Sequence, residues 1–127
     1  MRCNAGMITD KLSETKRFYT ELLEFQVVFE NEWFVLMATP EPYYSEISFL
    51  KPHHPSQASL FQQPFQGQGV YLTINVADVD AVHGRLQDLD VPVAVSLRDE
   101  PWGDRHFSIV DPNGIGVDIV TNPHFPL

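Results

Sequence analysis

Residues 105–120 decide the fold, and they read RHFSIVDPNGIGVDIV. His106 to Val110 and Ile115 to Val120 are rich in β-branched and other apolar residues, which predicts two strands. Between them, Asp111-Pro112-Asn113-Gly114 predicts a tight turn, because proline presets φ and Asn-Gly tolerates positive φ. We therefore expect an antiparallel hairpin near the end of the chain.

The residues before this hairpin complete one structural unit. Val70 to Val76 (VYLTINV) alternates strictly between apolar and polar side chains, as a half-buried strand does. Asp78 is placed to cap a helix, and Val91 to Ser96 is typical of a further strand, which Pro92 opens. One face of the predicted helix is apolar and consists of Val79, Val82, Leu86 and Leu89. The predicted order of this half is β-α-β-β-β.

The first half of the chain shows the same order. Apolar residues near helical spacing predict a helix over Leu12 to Leu23, with Asp10 or Ser13 as its cap. Strands are predicted at Cys3 to Thr9, Phe25 to Glu30, Trp33 to Ala38 and Ser45 to Leu50. Where strand meets helix, Ile8-Thr9-Asp10 matches Val76-Ala77-Asp78. This match indicates an internal repeat whose two copies pack together.

These patterns predict one domain over residues 1–127, with an α+β fold built from two βαβββ modules. Residues 51–69 are rich in Pro, Gly and Gln, which is typical of a linker, and a short amphipathic piece is expected at Ala58 to Phe61. The predicted boundaries are module one at about 1–50, the linker at 51–69, module two at about 70–121 and a tail at 122–127.

The composition excludes several partners. The 127 residues include 17 acidic and 8 basic side chains, which gives a formal net charge of −9. Phosphate backbones and anionic membrane surfaces repel such a protein, so we expect neither a nucleic acid nor a membrane partner. No apolar stretch approaches the roughly 20 residues of a membrane-spanning helix. The single cysteine, Cys3, suits a reducing compartment, and we predict a cytoplasmic protein.

Three segments resemble the vicinal-oxygen-chelate superfamily, which contains glyoxalases, bleomycin-resistance proteins and extradiol dioxygenases. They are DKLSETKRFYTELLEF (residues 10–25), NVADVDAV (residues 75–82) and RHFSIVDPNGIGVDIV (residues 105–120). Glu24 stands where the family usually has glycine, and one extra residue precedes Leu12. The resemblance implies a dihydroxybiphenyl dioxygenase-like fold, in which curled mixed sheets surround a shared cleft, and it implies a dimer.

In the enzymes of this family, four residues hold a divalent metal. They are a His or Gln early in the first strand of each half and usually a Glu in the last strand of each half. Strand alternation and the repeat put Cys3, Glu46, Tyr71 and Asp118 at these positions. This set has no imidazole or amide ligand, and neutral tyrosine is a poor ligand for the common divalent ions. We therefore expect no metal and no other cofactor.

Without a metal, the expected pocket has aromatic and acidic walls. Aromatic rings stack on planar ligands and attract cations, and carboxylates add selectivity for positive charge. His106 is the strongest pocket candidate among the histidines, because it begins a strand beside Trp102 and Arg105. The predicted ligand-binding residues are Trp33, Glu46, Tyr71, Thr73, Asn75, Trp102, Arg105, His106 and Asp118.

Three functions are compatible with these residues. The first is metal-independent sequestration of a small molecule, such as a cationic aromatic drug, by a homodimer; the bleomycin-resistance branch implies it, with antibiotic resistance as the result. The second is a metal-dependent lyase, isomerase or thiol transferase with a non-standard ligand set, or an enzyme that uses a metal-free acid/base pair such as Glu46 with His106. The third is a structural or regulatory subunit with a vestigial pocket. We favour the first, and whether the protein is an enzyme stays open at this point.

Overall fold

In each half of the chain, alternating apolar residues bury one face of a four-stranded mixed sheet. The computed structural model describes residues 1–124 and 127. Its contacts divide the chain into two units, Met1–Gln66 and Gly67–Leu127. The predicted tail, residues 122–127, lies partly outside the described residues, because residues 125 and 126 are not among them.

The first unit has the predicted order of elements. Its strands are β1 (Ala5–Ile8), β2 (Gln26–Glu30), β3 (Phe34–Ala38) and β4 (Glu46–Leu50), and its helix α1 spans Leu12–Arg17. The order in the sheet is β1-β4-β3-β2, with β1 parallel to β4 and the other pairs antiparallel. Its buried face consists of Met7, Val35, Met37, Ile47 and Phe49. Each of these side chains contributes about 1.5–3 kcal/mol by leaving water.

The second unit repeats this topology. Its strands are β5 (Tyr71–Asn75), β6 (Val95–Asp99), β7 (Arg105–Val110) and β8 (Gly116–Thr121), and its helix α2 spans Val79–Asp88. The order in the sheet is β5-β8-β7-β6, with β5 parallel to β8. The predicted cap of α2 is confirmed, because Asp78 Oδ1 accepts a hydrogen bond from the Ala81 amide at 3.1 Å. The buried residues include Val79, Leu86, Phe107, Ile109, Val117 and Ile119. The chain thus has the predicted α+β fold of two βαβββ modules.

The start of the first helix differs from its prediction. Its N-cap residue is Lys11 rather than Asp10 or Ser13. Thr9 Oγ1 accepts a hydrogen bond from the Lys11 amide at 2.9 Å, so a threonine at the end of β1 takes part in this junction. No helix within the described residues is both long and apolar enough to cross a membrane.

The end of the first helix is also unusual. From Phe18 to Leu22 the helix widens into a π-helical turn, a form that accommodates an additional residue. The Phe25 amide bonds back to the Tyr19 carbonyl at 3.0 Å. Tyr19 is fully buried, and its ring packs against the rings of Phe25 and Phe49. The turn therefore anchors the helix to the core of the first unit.

Most of the segment that we predict as a linker folds with the first unit. The Lys51 amide bonds to the Trp33 carbonyl at 2.8 Å, and the Phe65 amide bonds to the Ile8 carbonyl at 2.8 Å. The amphipathic piece predicted at Ala58 to Phe61 is a single 3-10 turn over Ser59–Phe61. Its Leu60 and Phe61 side chains are exposed, so this turn does not add to the core.

The register of the two sheets corrects our alignment of the two modules. Counting back from the first helical residues, Leu12 and Val79, makes Asn4 rather than Cys3 the equivalent of Tyr71. The sheets agree with this count, because β1 pairs Gly6 with Ser48 and β5 pairs Thr73 with Asp118 in the same pattern. Ser48, rather than Glu46, is therefore the equivalent of Asp118. Our matching of Asp10 with Asp78 was one residue out, because Lys11, the N-cap residue of α1, is the equivalent of Asp78.

Candidate functional site

One face of the second sheet carries five of the predicted binding residues. Phe107 packs its ring against His83 of α2, so the side chains that alternate with it on β7 lie on the opposite face. We call that opposite face the polar face. It consists of three rows across β5, β8 and β7: Tyr71, Gly116 and Val110; Thr73, Asp118 and Ser108; Asn75, Val120 and His106.

Asp118 is the centre of the polar face. Its Oδ1 atom accepts hydrogen bonds from Ser108 Oγ at 2.9 Å and from His106 Nδ1 at 2.7 Å. Its side chain is 24% exposed. No hydrogen bond reaches its Oδ2 atom from the residues that the structure describes. The carboxylate is thus held through Oδ1, and its Oδ2 is available to accept a hydrogen bond from a ligand.

His106 lies between two carboxylates. Its Nδ1 donates to Asp118, and its Nε2 lies 3.2 Å from Glu100 Oε1. Partial burial disfavours the charged imidazolium, but the hydrogen bonds and charges of Asp118 and Glu100 outweigh that cost and raise the pKa of His106 above its ordinary value. The two carboxylates therefore favour the protonated ring, which bridges the loop after β6 to strand β8.

Glu100 is the site residue that sequence analysis missed. It follows β6 in an irregular loop, where no periodicity indicates which side chains point inward. A turn holds the loop, because the Glu100 amide bonds to the Asp104 carbonyl at 2.7 Å and the Gly103 amide bonds to the Glu100 carbonyl at 3.0 Å. This turn returns the chain to β7 and brings Glu100 to His106.

Trp102 lies at the tip of the same loop. Its indole Nε1 donates to Asp104 Oδ2 at 2.9 Å, while 63% of the residue is exposed. Hydrogen bonds from Asn122 and Trp102 lower the pKa of Asp104, so this carboxyl is ionised at neutral pH. The nearby charge of His106 acts in the same direction. Three carboxylates thus lie around the His106 ring, and they outnumber the basic groups of the cluster, His106 and Arg98, the latter 3.9 Å from Glu100.

The hydrogen bonds do not form a nucleophilic triad. Such a triad needs a serine that donates to histidine, which then takes the proton as general base. Ser108 donates instead to Asp118, and both ring nitrogens of His106 are committed to carboxylates. Ser108 is therefore not activated for attack.

The positions of the family's metal ligands do not fit a metal. In register they carry Asn4 and Ser48 in the first unit and Tyr71 and Asp118 in the second. The corrected set thus includes one amide, Asn4, contrary to our prediction of none, but Asp118 is its one carboxylate, and neutral serine and tyrosine side chains are poor ligands for the common divalent ions. Within residues 1–124 and 127, no three His, Cys, Asp or Glu side chains are placed to hold one ion.

Arg105 is placed apart from the polar face. It pairs with Asp80 of α2, with its two nitrogens 2.8 and 2.9 Å from the carboxylate oxygens, and with Asp99 at 3.2 Å. The hydrogen bonds and charges of Asp80 and Asp99 raise the pKa of Arg105, and the hydrogen bond and charge of Arg105 lower the pKa of Asp80. The structure therefore gives Arg105 a role in tying β7 to α2.

Two predicted residues, Trp33 and Glu46, belong to the first unit. The Trp33 ring stacks on His54 with 4.3 Å between ring centroids. Glu46 accepts a hydrogen bond from Asn4 Nδ2 at 3.2 Å, and its hydrogen bond to Tyr44 raises the pKa of that phenol. Glu46 also lines an open cavity of about 220 Å³, together with Arg2, Cys3, Asn4, Tyr44 and Ser45.

The first sheet has a different chemistry on the face equivalent to the polar face. The equivalents of His106 and Ser108 there are Phe34 and Leu36, because they occupy the same register positions opposite Leu50 and Ser48. The first unit therefore carries two apolar side chains where the second carries His106 and Ser108, and a serine where it carries Asp118.

Comparison with known families agrees with this architecture. Residues 4–119 match the family model described as the Glyoxalase/Bleomycin resistance protein/Dioxygenase superfamily. The chain belongs to this superfamily. No curated protein matches it in sequence.

Solved structures share the fold at low sequence identity. A lactoylglutathione lyase from Agrobacterium tumefaciens superposes with a TM-score of 0.75 at 20% identity, covering 95% of this chain and 92% of that one. TnmS3, an antibiotic-binding protein from a Streptomyces species, gives a TM-score of 0.69 at 22% identity, covering 93% and 91%. A superfamily member from Sphaerobacter thermophilus gives 0.72 at 22% identity, covering 96% and 97%. Because these likenesses lie below 25% identity, they show the fold and not the activity.

Proposed function

We propose that this protein binds a small organic cation on the polar face of its second unit and needs no metal to do so. The observation that carries the proposal is Asp118, whose Oδ1 is held by His106 and Ser108 while its Oδ2 is unpaired within the described chain. A carboxylate held in one orientation binds a positive group with little ordering cost.

The surrounding charges support a cationic ligand. Glu100 and Asp104 add two negative charges near Asp118, so three carboxylates face two basic groups, His106 and Arg98, whose Nε lies 3.9 Å from Glu100 Oε1. The exposed indole of Trp102 and the exposed phenol ring of Tyr71 are surfaces on which a planar cation stacks. An anionic ligand is disfavoured here, and the net charge of −9 disfavours it further.

The same residues favour binding over a metal-dependent lyase, isomerase or thiol transferase. Such an enzyme needs several ionised or imidazole donors, and the register positions provide Asp118 alone. The likeness in fold to an antibiotic-binding protein is in line with sequestration, and we propose resistance to a cationic compound as the biological role.

Titration of metal-stripped protein with the planar cation proflavine tests this function, with quenching of tryptophan fluorescence as the readout. Asp118→Asn is expected to weaken binding by at least about tenfold, equivalent to about 1.4 kcal/mol. Asp88→Asn is the matched control, because it removes the same charge from an exposed position at the end of α2. Equal loss in both variants, or tighter binding of the anion fluorescein, contradicts the proposal.

A metal measurement tests the other half of the proposal. The protein is incubated with Zn, Mn, Ni and Fe(II), dialysed against metal-free buffer, and analysed for bound ions. We expect far less than one ion per chain, since the donor set is weak. One tightly held ion per chain overturns metal-independent binding.

We further propose that the protein acts as a homodimer in the cytoplasm. The support for the dimer is β2, an edge strand whose five residues are all exposed, including Val27, Val28 and Phe29. Apolar exposed edge strands are templates for pairing with another chain. Analytical ultracentrifugation tests this point, and Val28→Lys is expected to shift the protein towards monomer.

A further inference from the structure

We infer that the ligand of the polar face is an arylalkylamine, with its aromatic ring over Gly116 and its ammonium group at Asp118. The inference rests on the proposed function and narrows it to a chemical class. It comes from the order of side chains on β5, β8 and β7. This order places Gly116, which has no side chain, two residues from the unpaired oxygen of Asp118.

Gly116 forms the floor of the proposed slot for the aromatic ring. It pairs with Tyr71 on β5 and with Val110 on β7, so it lies between two larger side chains in one row. Tyr71 is 73% exposed and Val110 is 50% exposed. Their strands lie about 9–10 Å apart, since each strand spacing is about 4.8 Å. With no side chain in the middle, the row leaves a slot about as wide as one aromatic ring, walled by a phenol on one side.

The geometry of Gly116 confirms which way the slot opens. A Cβ atom built on Gly116 would lie 3.9 Å from the Tyr71 Cβ, so the missing side chain would point to the same face as Tyr71. That distance is an ordinary van der Waals contact. Gly116 therefore has no steric reason within the fold to be glycine, and an alanine there would fill the slot without disturbing its neighbours.

The acceptor is the unpaired oxygen of Asp118. Asp118 lies two residues beyond Gly116 on β8, and two residues of strand span about 6.6 Å. At about 1.5 Å per carbon–carbon bond, a linker of about two or three carbons joins a ring at Gly116 to an ammonium at Asp118. A shorter linker leaves the charge short of the carboxylate, and a longer one must fold.

The row that contains Asp118 favours a primary or secondary amine over a quaternary ammonium. Thr73 and Ser108 flank Asp118 on the neighbouring strands. Their hydroxyl oxygens accept hydrogen bonds, so an ammonium with several N–H groups has partners beside the carboxylate. A quaternary ammonium has no N–H to donate and forfeits these bonds.

Calorimetric titration of the metal-stripped, full-length protein tests the inference. The probes are benzylamine, 2-phenylethylamine and 3-phenylpropylamine, with one to three linker carbons, together with propylamine and 2-phenylethanol. We expect 2-phenylethylamine or 3-phenylpropylamine to bind at least tenfold more tightly than propylamine, which lacks the ring, and 2-phenylethanol, which lacks the charge.

Gly116→Ala is the decisive variant. It is expected to weaken the preferred amine at least fivefold while leaving propylamine binding unchanged. Gly84→Ala is the matched control, because a Cβ at Gly84 meets no atom within 4 Å. Circular dichroism and the thermal midpoint of each variant establish that it is folded before its affinity is compared.

The outcomes separate this inference from the proposed function. If proflavine binds in an Asp118-dependent way but the ring gives no advantage over propylamine, the arylalkylamine inference is overturned and cation binding stands. The same conclusion follows if folded Gly116→Ala binds the preferred amine as tightly as the native protein. If neither proflavine nor any amine binds, both are overturned.

Discussion

His106 shows how a single residue couples this site to pH. Its pKa is raised in the folded protein, so its contribution to stability is fully present below the unfolded pKa of about 6.5. That contribution is lost as the pH rises through the higher folded pKa. Hydrogen bonds to charged groups contribute about 1.5–3 kcal/mol each when both partners stay in place.

We therefore predict that His106→Gln destabilises the protein by about 1–2 kcal/mol at pH 6, and by less at pH 9. Urea denaturation at the two pH values measures the difference. His124→Gln is a suitable control, because His124 is exposed. A loss that grows with pH would contradict the assignment of His106 as a bridging imidazolium.

Deprotonation of His106 also changes the affinity of the polar face for a cation. The imidazolium adds a positive charge next to Asp118, and it repels a cationic ligand until it deprotonates. We expect proflavine to bind about fivefold more tightly above the folded pKa of His106 than below it, since nearby charges at a protein surface interact by about 1 kcal/mol or more. In His106→Gln the affinity should change far less over this range.

At the scale of the element, α2 depends on its cap. Asp78 accepts from the Ala81 amide at 3.1 Å, and the helix that it starts carries Asp80, the partner of Arg105. We predict that Asp78→Ala lowers the free energy of unfolding by about 1 kcal/mol. Asp78→Asn should recover most of this loss, because an amide oxygen caps as well.

Asp90→Ala is the control for this measurement, since Asp90 lies beyond the end of α2. It also has a positive φ, which alanine tolerates poorly, so the control itself costs some stability. The recovery by Asp78→Asn is thus the more telling comparison, and its failure would show that Asp78 acts by charge alone.

The elements also show what sequence patterns can predict. All eight strands and both helices were predictable, because alternation and helical spacing record which side of each element meets the core. β6 spans Val95–Asp99, later than the predicted Val91 to Ser96; Pro92 has no amide to donate, and the first hydrogen bond to β7 comes from the Ala94 amide. The cap of α1 was not predictable, because Asp10 and Ser13 both satisfy the pattern and the structure uses neither.

At the scale of the whole molecule, the site was predictable in part. Strand alternation predicted the face of Asp118, and the start of a strand beside Trp102 suggested His106; the structure places both on the polar face. Glu100 was missed because a loop has no period, and Arg105 was misplaced because its partner Asp80 is distant in sequence. The alignment of the modules failed by one residue, since it matched Asp10 with Asp78 as caps, whereas the N-cap of α1 is Lys11.

The net charge of the whole chain makes a further prediction. Self-repulsion among 17 acidic and 8 basic residues opposes the compact state, and added salt screens it. We expect the thermal midpoint to rise by a few degrees, on the order of 2–5 °C, between low ionic strength and 0.3 M NaCl. KCl at the same ionic strength should give the same rise, whereas a falling midpoint would show that local ion pairs dominate.

The two faces described for the repeated sheet have a consequence for protein engineering. Side chains that alternate on a strand can be exchanged on one face while the other continues to hold the core. Phe34, Leu36 and Ser48 occupy the positions of His106, Ser108 and Asp118 in the first sheet. Changing these three to His, Ser and Asp transfers the trio to a second scaffold within the same chain, and none of them belongs to the fully buried core.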